Sequence, residues 1–200
     1  MNVHPQKRGR GRPKTGGRRE DVLGAALELF AERGFYGTAI PDIAAKAGIA
    51  AGTIYRHFAS KEALVNELYR RSKLALGAAL LGGVPTDADL RAQFHHLWWA
   101  LVRFEREQPL AFAFLELHHH GSYLDTESKS LELRVLMPIA AVIERGRAAG
   151  VLKRLPAHAL IVTVWGAFVG MIKAARLGYY TLTDYLCTQV EETCWDAIKA

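Results

Sequence analysis

Ile40-Pro41-Asp42-Ile43-Ala44-Ala45-Lys46-Ala47-Gly48-Ile49-Ala50-Ala51-Gly52-Thr53-Ile54-Tyr55-Arg56-His57-Phe58 is the stretch that decides the fold of this chain. Two short apolar segments meet at Gly48. Ile43, Ala47, Ile49, Ile54 and Phe58 fall at spacings that turn them inward, and Ala44 is small where the two helices would cross. Gly48 supplies a turn for which a positive φ is expected, a conformation open to glycine at little cost. This is the steric pattern of a helix-turn-helix, whose second helix enters the DNA major groove. An ordinary helical hairpin would share the Ala44 and Gly48 pair, but the inward pattern over all nineteen residues favours the DNA-reading form.

The chain on either side is punctuated as a series of helices. Val22, Leu23, Ala26, Leu27, Leu29 and Phe30 form an apolar stripe at helical spacing that ends near Gly34. The two short helices are expected over 39–47, with Thr38 as N-cap, and over 51–58. Ser60 then caps a longer helix to Leu81. Gly82-Gly83-Val84-Pro85 is the clearest break. Beyond it, Thr86 and Asp89 resemble a capping box for a helix to Glu107, and 110–120 reads as helical up to Gly121. A long helix over 125–149 contains Pro138, where a kink is expected. Pro156 opens a very apolar helix to Leu177, and Thr181 with Asp184 suggests a capping box for the last. No strand pattern stands out. The expected fold is all-α, with about nine helices and three parts. These are a flexible basic arm over 1–17, a three-helix helix-turn-helix DNA-binding domain over 18–77, and a helical-bundle domain over 78–200.

Charge is concentrated in the arm. Lys7, Arg8, Arg10, Arg12, Lys14, Arg18 and Arg19 stand in the first nineteen residues without an acid among them. The net charge is +6, so the other 181 residues carry +6 − 7 = −1. Such a segment reads as a cation awaiting a polyanion, most plausibly nucleic acid. The two cysteines, Cys187 and Cys194, are too far apart on one helix to bridge, which points to a reducing cytoplasm. No apolar run follows the first charges, so no secretory leader is expected. The charge-free stretch Ala159–Ile172 is short for a bilayer, and no membrane partner is expected. An enzyme built on the histidines lacks a nucleophile elbow, a phosphate loop or a zinc-protease motif. Neighbours on a helix point about 100° apart, so His118, His119 and His120 cannot easily close on one ion. His95 and His96 share that difficulty, and neither a metal nor a cofactor is expected.

Residues 21–64 resemble the TetR family of bacterial transcriptional regulators. The matching phrases are Ala26-Leu27-Glu28-Leu29-Phe30-Ala31-Glu32-Arg33-Gly34-Phe35, Asp42-Ile43-Ala44, Ala47-Gly48-Ile49, Gly52-Thr53-Ile54-Tyr55-Arg56-His57-Phe58 and Ser60-Lys61-Glu62-Ala63-Leu64, in family order. The resemblance implies that Thr53, Tyr55, His57 and Lys61 touch DNA, a role their donor groups suit. Thr38 would add a hydroxyl and a backbone amide at a helix start. Ala50, Ala51 and Gly52 form the leading turn of the recognition helix, where methyl groups can meet thymine methyls and glycine permits close approach. Arg56 has two readings, a guanine or a phosphate. Tyr55 also has a packing reading, and Pro41 stands where the family commonly has a polar residue. Arg8-Gly9-Arg10-Gly11-Arg12-Pro13-Lys14 looks like the core of an AT-hook, with Arg10 and Arg12 in a narrow minor groove. A tail that neutralises phosphates without preference is the other reading.

The resemblance further implies an effector cavity in the C-terminal part and a twofold dimer. Trp98, Phe112, Phe114, His118, Tyr123, Met137 and Trp165 are the expected lining, since apolar and aromatic groups with a few polar ones line such cavities. Each of them also reads as plain core. The helix over 157–177 is apolar all round and needs cover on every side. Paired with the last helix from each subunit, it would form a four-helix interface. The favoured reading is a homodimeric repressor released from a palindromic double-stranded DNA operator by a small-molecule effector. An architectural binder of A·T-rich DNA without an effector is the alternative.

Overall fold

The computed structural model describes residues 15–200, and among these the chain forms nine α-helices. They are α1 (Thr15–Arg33), α2 (Ile40–Lys46), α3 (Ala51–Ile54), α4 (Lys61–Leu81), α5 (Leu90–Glu107), α6 (Pro109–Glu116), α7 (Thr126–Ala148), α8 (Ala157–Arg176) and α9 (Asp184–Ile198). The fold is all-helical among the described residues, with α2 held against α1, α3 against α2, and α4 against α1 at the N-terminal end. One isolated bridge between Leu152 and Lys199 ties the α7–α8 connection to the C-terminal end.

Several helix starts differ from the sequence expectation, each for a local reason. Ser60 caps α4 as expected, its hydroxyl accepting from the Ala63 N–H at 3.1 Å. Thr38 does not cap α2. Its hydroxyl is buried and donates to the Gly34 and Leu29 carbonyls, so Ala39 takes the N-cap position and the Asp42 carboxylate accepts from the Ala39 N–H. Asp89, not Thr86, caps α5, at 2.7 Å from the Ala92 nitrogen. Thr183, not Thr181, caps α9. Helix α3 ends at Ile54, and Tyr55–His57 continue as tighter turns with i to i−3 hydrogen bonds. Helix α6 stops at Glu116, so the three histidines lie outside it. Helix α7 is continuous through Pro138.

One apolar core runs from the N-terminal head into the C-terminal bundle. Phe30 of α1 stacks on Phe114 of α6 with ring centroids 6.2 Å apart. Deeper in the bundle, Trp98 and Phe112 both meet Phe168 edge-on, at 5.2 and 5.8 Å. Helices α5 and α9 are locked by a buried carboxylate. Glu191, with 0% exposure, accepts from Arg91, from His95 Nδ1 at 2.9 Å and from Trp99 Nε1 at 3.0 Å. The thiols of Cys187 and Cys194 are free and buried, and burial pushes the pKa of both up.

Helix α8 has the length and composition to cross a membrane, because it continues past the charge-free stretch to Arg176. It nevertheless packs on α7 and α9 and sends Leu160, Phe168, Met171 and Ile172 into the bundle. Its other face leaves Val162, Thr163, Gly166, Ala167 and Gly170 exposed.

Removing the Glu191 carboxylate tests the α5–α9 lock. Glu191→Ala leaves the Trp99 N–H and the half-exposed Arg91 without their shared acceptor. The expected loss is about 2–3 kcal/mol, less than for a fully buried pair because Arg91 can turn to water. Calorimetry should place the melting temperature roughly 5–10 °C below that of the parent chain.

Candidate nucleic-acid interface and internal cavity

The helix-turn-helix is built on a small core. Ile43 and Ile54 are fully buried, Ala44 and Phe58 nearly so, and Ala47 and Ile49 are half-buried. Gly48 adopts φ +66°, and the Ile49 N–H reaches back to the Ala44 carbonyl at 3.0 Å, which closes α2 and turns the chain into α3. The guanidinium of Arg19 lies 5.1 Å over the Phe58 ring and pairs with Glu67 on α4. Arg71 extends the network to Glu20 at 2.7 Å and to Glu67 at 3.2 Å. Arg19 therefore serves the head's own packing, although it is the last cation of the basic stretch.

With Ile54 and Phe58 inward, the rest of α3 and the turn after it face out. Ala50, Gly52, Tyr55 and Arg56 are exposed, and Ala51, Thr53, His57 and Lys61 are half-buried. The side chains of Thr53, Tyr55 and Arg56 find no hydrogen-bond partner among the described residues. The leading edge is flat, and a Cβ at Gly52 would meet nothing within 4 Å. This surface has the shape that close backbone approach to a groove requires, with donors set behind it. Lys61 is engaged differently. Its ammonium sits 4.1 Å over the Phe35 ring, and burial pulls its pKa down. Thr38, at 2% exposure with its hydroxyl committed inside the head, does not belong to this surface. Arg10 and Arg12 lie outside the described residues.

A cavity of about 280 Å³ opens among α4, α5, α7, α8 and α9. Leu76, Leu80, Phe94, Ile139, Ile143 and Leu160 are typical of its wall, together with Trp98 and Trp165. The titratable groups on that wall are Lys73, Glu116, Glu132 and His158. Lys73 Nζ lies 3.5 Å from Glu116 Oε1 and 3.5 Å from Glu132 Oε1. The indole N–H of Trp165 donates to Glu116 Oε2 at 2.9 Å. Burial raises the pKa of Glu116, opposed by the charge of Lys73.

Five residues expected in the lining stand elsewhere. Phe112 and Phe114 are core, filled against Phe168 and Phe30. Met137 is on the outer face of α7 at 67% exposure. His118 and Tyr123 belong to the α6–α7 connection, which clasps the head. His118 Nε2 is 2.8 Å from the Ala31 carbonyl, Tyr123 stacks on Phe35 at 4.2 Å, and Ser122 meets the Tyr36 hydroxyl at 2.8 Å. The three adjacent histidines diverge. His120 turns inward to the Phe114 carbonyl and the Tyr123 hydroxyl, and burial lowers its pKa. His119 lies beside Gly121.

The comparisons with known proteins cover both parts. Residues 22–68 match the model of bacterial regulatory proteins of the tetR family, and residues 69–200 match the tetracyclin repressor-like C-terminal domain. The chain belongs to the TetR family. Among solved structures, a putative TetR-family regulator from Vibrio parahaemolyticus is 28% identical with a TM-score of 0.74, over 92% of this chain and 99% of that one. A TetR-family regulator from Marinobacter aquaeolei VT8 reaches a TM-score of 0.81 at 22% identity, over 92% and 96%. The HTH-type transcriptional repressor KstR2 of Rhodococcus jostii (strain RHA1) is 52% identical over 54 residues, 27% of this chain. The repressor Rv3405c of Mycobacterium tuberculosis (strain ATCC 25618 / H37Rv) is 39% identical over 75 residues. These matches span 26% and 40% of the relatives' own length.

For a TetR-family chain the residues missed in sequence are instructive. Lys73 stands on the apolar stripe of α4 between Tyr69 and Leu76, and Glu116 ends the otherwise apolar α6. A charge on an apolar helical face was the available signal.

Two substitutions probe the head. Gly48→Ala places a Cβ in open space but at a positive φ, so the expected cost is about 1 kcal/mol of strain. Chemical denaturation should report that loss with the helical circular dichroism unchanged. Arg56→Ala separates the two readings of that residue. If Arg56 meets a phosphate, affinity falls for every sequence and the salt slope drops by about 1. If it meets a guanine, preference relaxes at one base position instead. Binding titrations at several salt concentrations, run on a library of sites, decide between the two.

Proposed function

We propose that this TetR-family protein is a homodimeric transcriptional repressor that leaves a palindromic operator when a small molecule fills the cavity among α4, α5, α7, α8 and α9. The observation that carries this reading is the position of one short segment. Glu116, at the end of α6, forms part of the cavity wall, and residues 118–123 directly after it clasp Ala31, Phe35 and Tyr36 of the head. A ligand that moves the end of α6 therefore also moves the seat of α1 and of the turn leading to α2. The ligand acts by preferring the arrangement that holds the two heads off the operator spacing.

The homodimer is supported by the outer faces of the last two helices. On α8, Gly166 and Gly170 face open space, with Ala167, Thr163 and Val162 beside them. On α9, Tyr185, Gln189, Glu192 and Thr193 are exposed. Small residues let helix axes approach, and two such pairs of helices make a self-complementary twofold contact. The twofold axis would also give one recognition surface two half-sites to read. The basic arm of residues 1–14 adds affinity that depends on salt.

Selection of duplexes from a random library by the purified protein, followed by footprinting, tests the reading. Enrichment of one palindrome is expected. Broad A·T-rich coverage without a palindrome would favour the architectural alternative. Gly170→Arg should convert the dimer to a monomer in light scattering and weaken operator binding by at least about tenfold. Deletion of residues 1–14 should lower affinity and flatten its salt dependence while the half-sites stay the same.

A further inference from the structure

The cavity is apolar over nearly all of its wall, with one polar end built by α4, α6 and α7. That end is a closed set of partners. Among the described residues Lys73 is the only ammonium on the wall, and it is already shared. Nζ lies 3.5 Å from Glu116 and 3.5 Å from Glu132, and it also lies 5.6 Å from the centroid of the Tyr69 ring. An ammonium has three donors and no acceptor, and two carboxylates already neutralise this one, each from 3.5 Å. The indole N–H of Trp165 is likewise spent on Glu116. What remains is acceptor capacity. Each carboxylate can take about four hydrogen bonds, and the partners of the part-exposed Glu132 are Lys73 at 3.5 Å and the Tyr69 hydroxyl, which leaves acceptor sites on it. The formal charge of the set is −2 + 1 = −1, and the remaining titratable group of the wall, His158, is exposed at the start of α8.

Behind this set lies a smaller pocket that shares Lys73, Glu116 and Glu132 and reaches Tyr69, His120 and Lys129. Lys129 is exposed there and is not on the wall of the main cavity. Burial lowers the pKa of His120, and burial together with the charge of Glu132 pushes the Tyr69 hydroxyl up. Neither group lies on the wall of the main cavity.

We infer that the effector is an apolar molecule carrying one protonated amine, its hydrocarbon body among Leu76, Leu80, Ile139 and Trp98 and its ammonium against Glu116 and Glu132. This inference rests on the reading of the cavity as the effector site and adds the chemistry of its ligand. An ammonium donates to the unfilled acceptors and balances the surplus negative charge. A carboxylate head would meet two carboxylates and a lysine already paired with both. A hydroxyl would find acceptors but leave the charge unbalanced. The cavity stands at the small end of small-molecule sites, which suits a ligand with a compact or single-chain body.

The test uses three probes with one body: decylamine, 1-decanol and decanoate, titrated into the full-length dimer by calorimetry at neutral pH. Release of the selected operator is followed by fluorescence anisotropy. Decylamine is expected to bind about tenfold or more tightly than decanol, with decanoate weakest, and to release the operator. Glu132→Gln, at the more exposed carboxylate, should weaken decylamine by about tenfold and leave decanol unchanged. Glu116→Gln should act in the same direction, and its melting curve shows whether it folds. Decanoate or decanol binding as well as decylamine, and releasing DNA, would overturn the amine while leaving the effector site in place. No binding by any of the three would overturn both.

Discussion

One buried amide fixes the geometry on which both halves of the molecule depend. Asn66 of α4 is 3% exposed, and its side chain makes four hydrogen bonds. Nδ2 donates to the Glu62 carbonyl at 2.9 Å and to the Tyr123 carbonyl at 2.8 Å, while Oδ1 accepts from the Asp125 N–H and from the Ser128 hydroxyl, each at 2.9 Å. Two donors and two acceptor sites are all filled, so no alternative rotamer satisfies the group. Through these bonds the α6–α7 connection is held to the head's longest helix. The stack of Tyr123 on Phe35 and the cap of α7 at Asp125 both follow from that placement. Arg70, one turn along α4 from Asn66, adds a 3.0 Å pair to Asp125. That pair is partly exposed, so it contributes less than the amide.

The same constraint explains what could be read from the chain and what could not. Gly48 was legible because a left-handed turn between two apolar segments has few other solutions, and the structure gives it φ +66°. Ser60 was legible because an N-cap and the N–H that donates to it lie three residues apart. Thr38 was misplaced because a hydroxyl at a helix start can also turn back, and here the carbonyls of Gly34 and Leu29 take it. The cavity lining was mostly illegible. Aromatic residues that close a core and those that line a void have the same composition, and only tertiary placement separates Trp98 and Trp165 from Phe112 and Phe114. Tyr123 and His118 had the chemistry of a binding site, but their partners Phe35 and Ala31 lie nearly ninety residues earlier.

A void of this size is a cost to the fold. Unfilled apolar volume forfeits dispersion contacts, and in a collapsible core it is lost by local rearrangement. Here the walls resist collapse for two reasons. Trp98 is wedged by Phe168 and tied to the Cys187 carbonyl, and α5 is fastened to α9 through Glu191. The Lys73–Glu116–Glu132 set closes the opposite end, with Lys73 and Glu116 nearly buried and paired and Glu132 reaching Lys73 from a partly exposed position. A ligand that fills the space recovers contacts the empty protein lacks. In the proposed mechanism that gain would drive a change of state only to the extent that it differs between two arrangements of the heads. Glu116 is where such a difference can arise, since it touches the cavity on one side and begins the Asn66-anchored segment on the other. In the proposed mechanism the anchoring amide is the fulcrum: Asn66 would keep the connection from absorbing a movement of α6, so that Phe35 and α1 would follow.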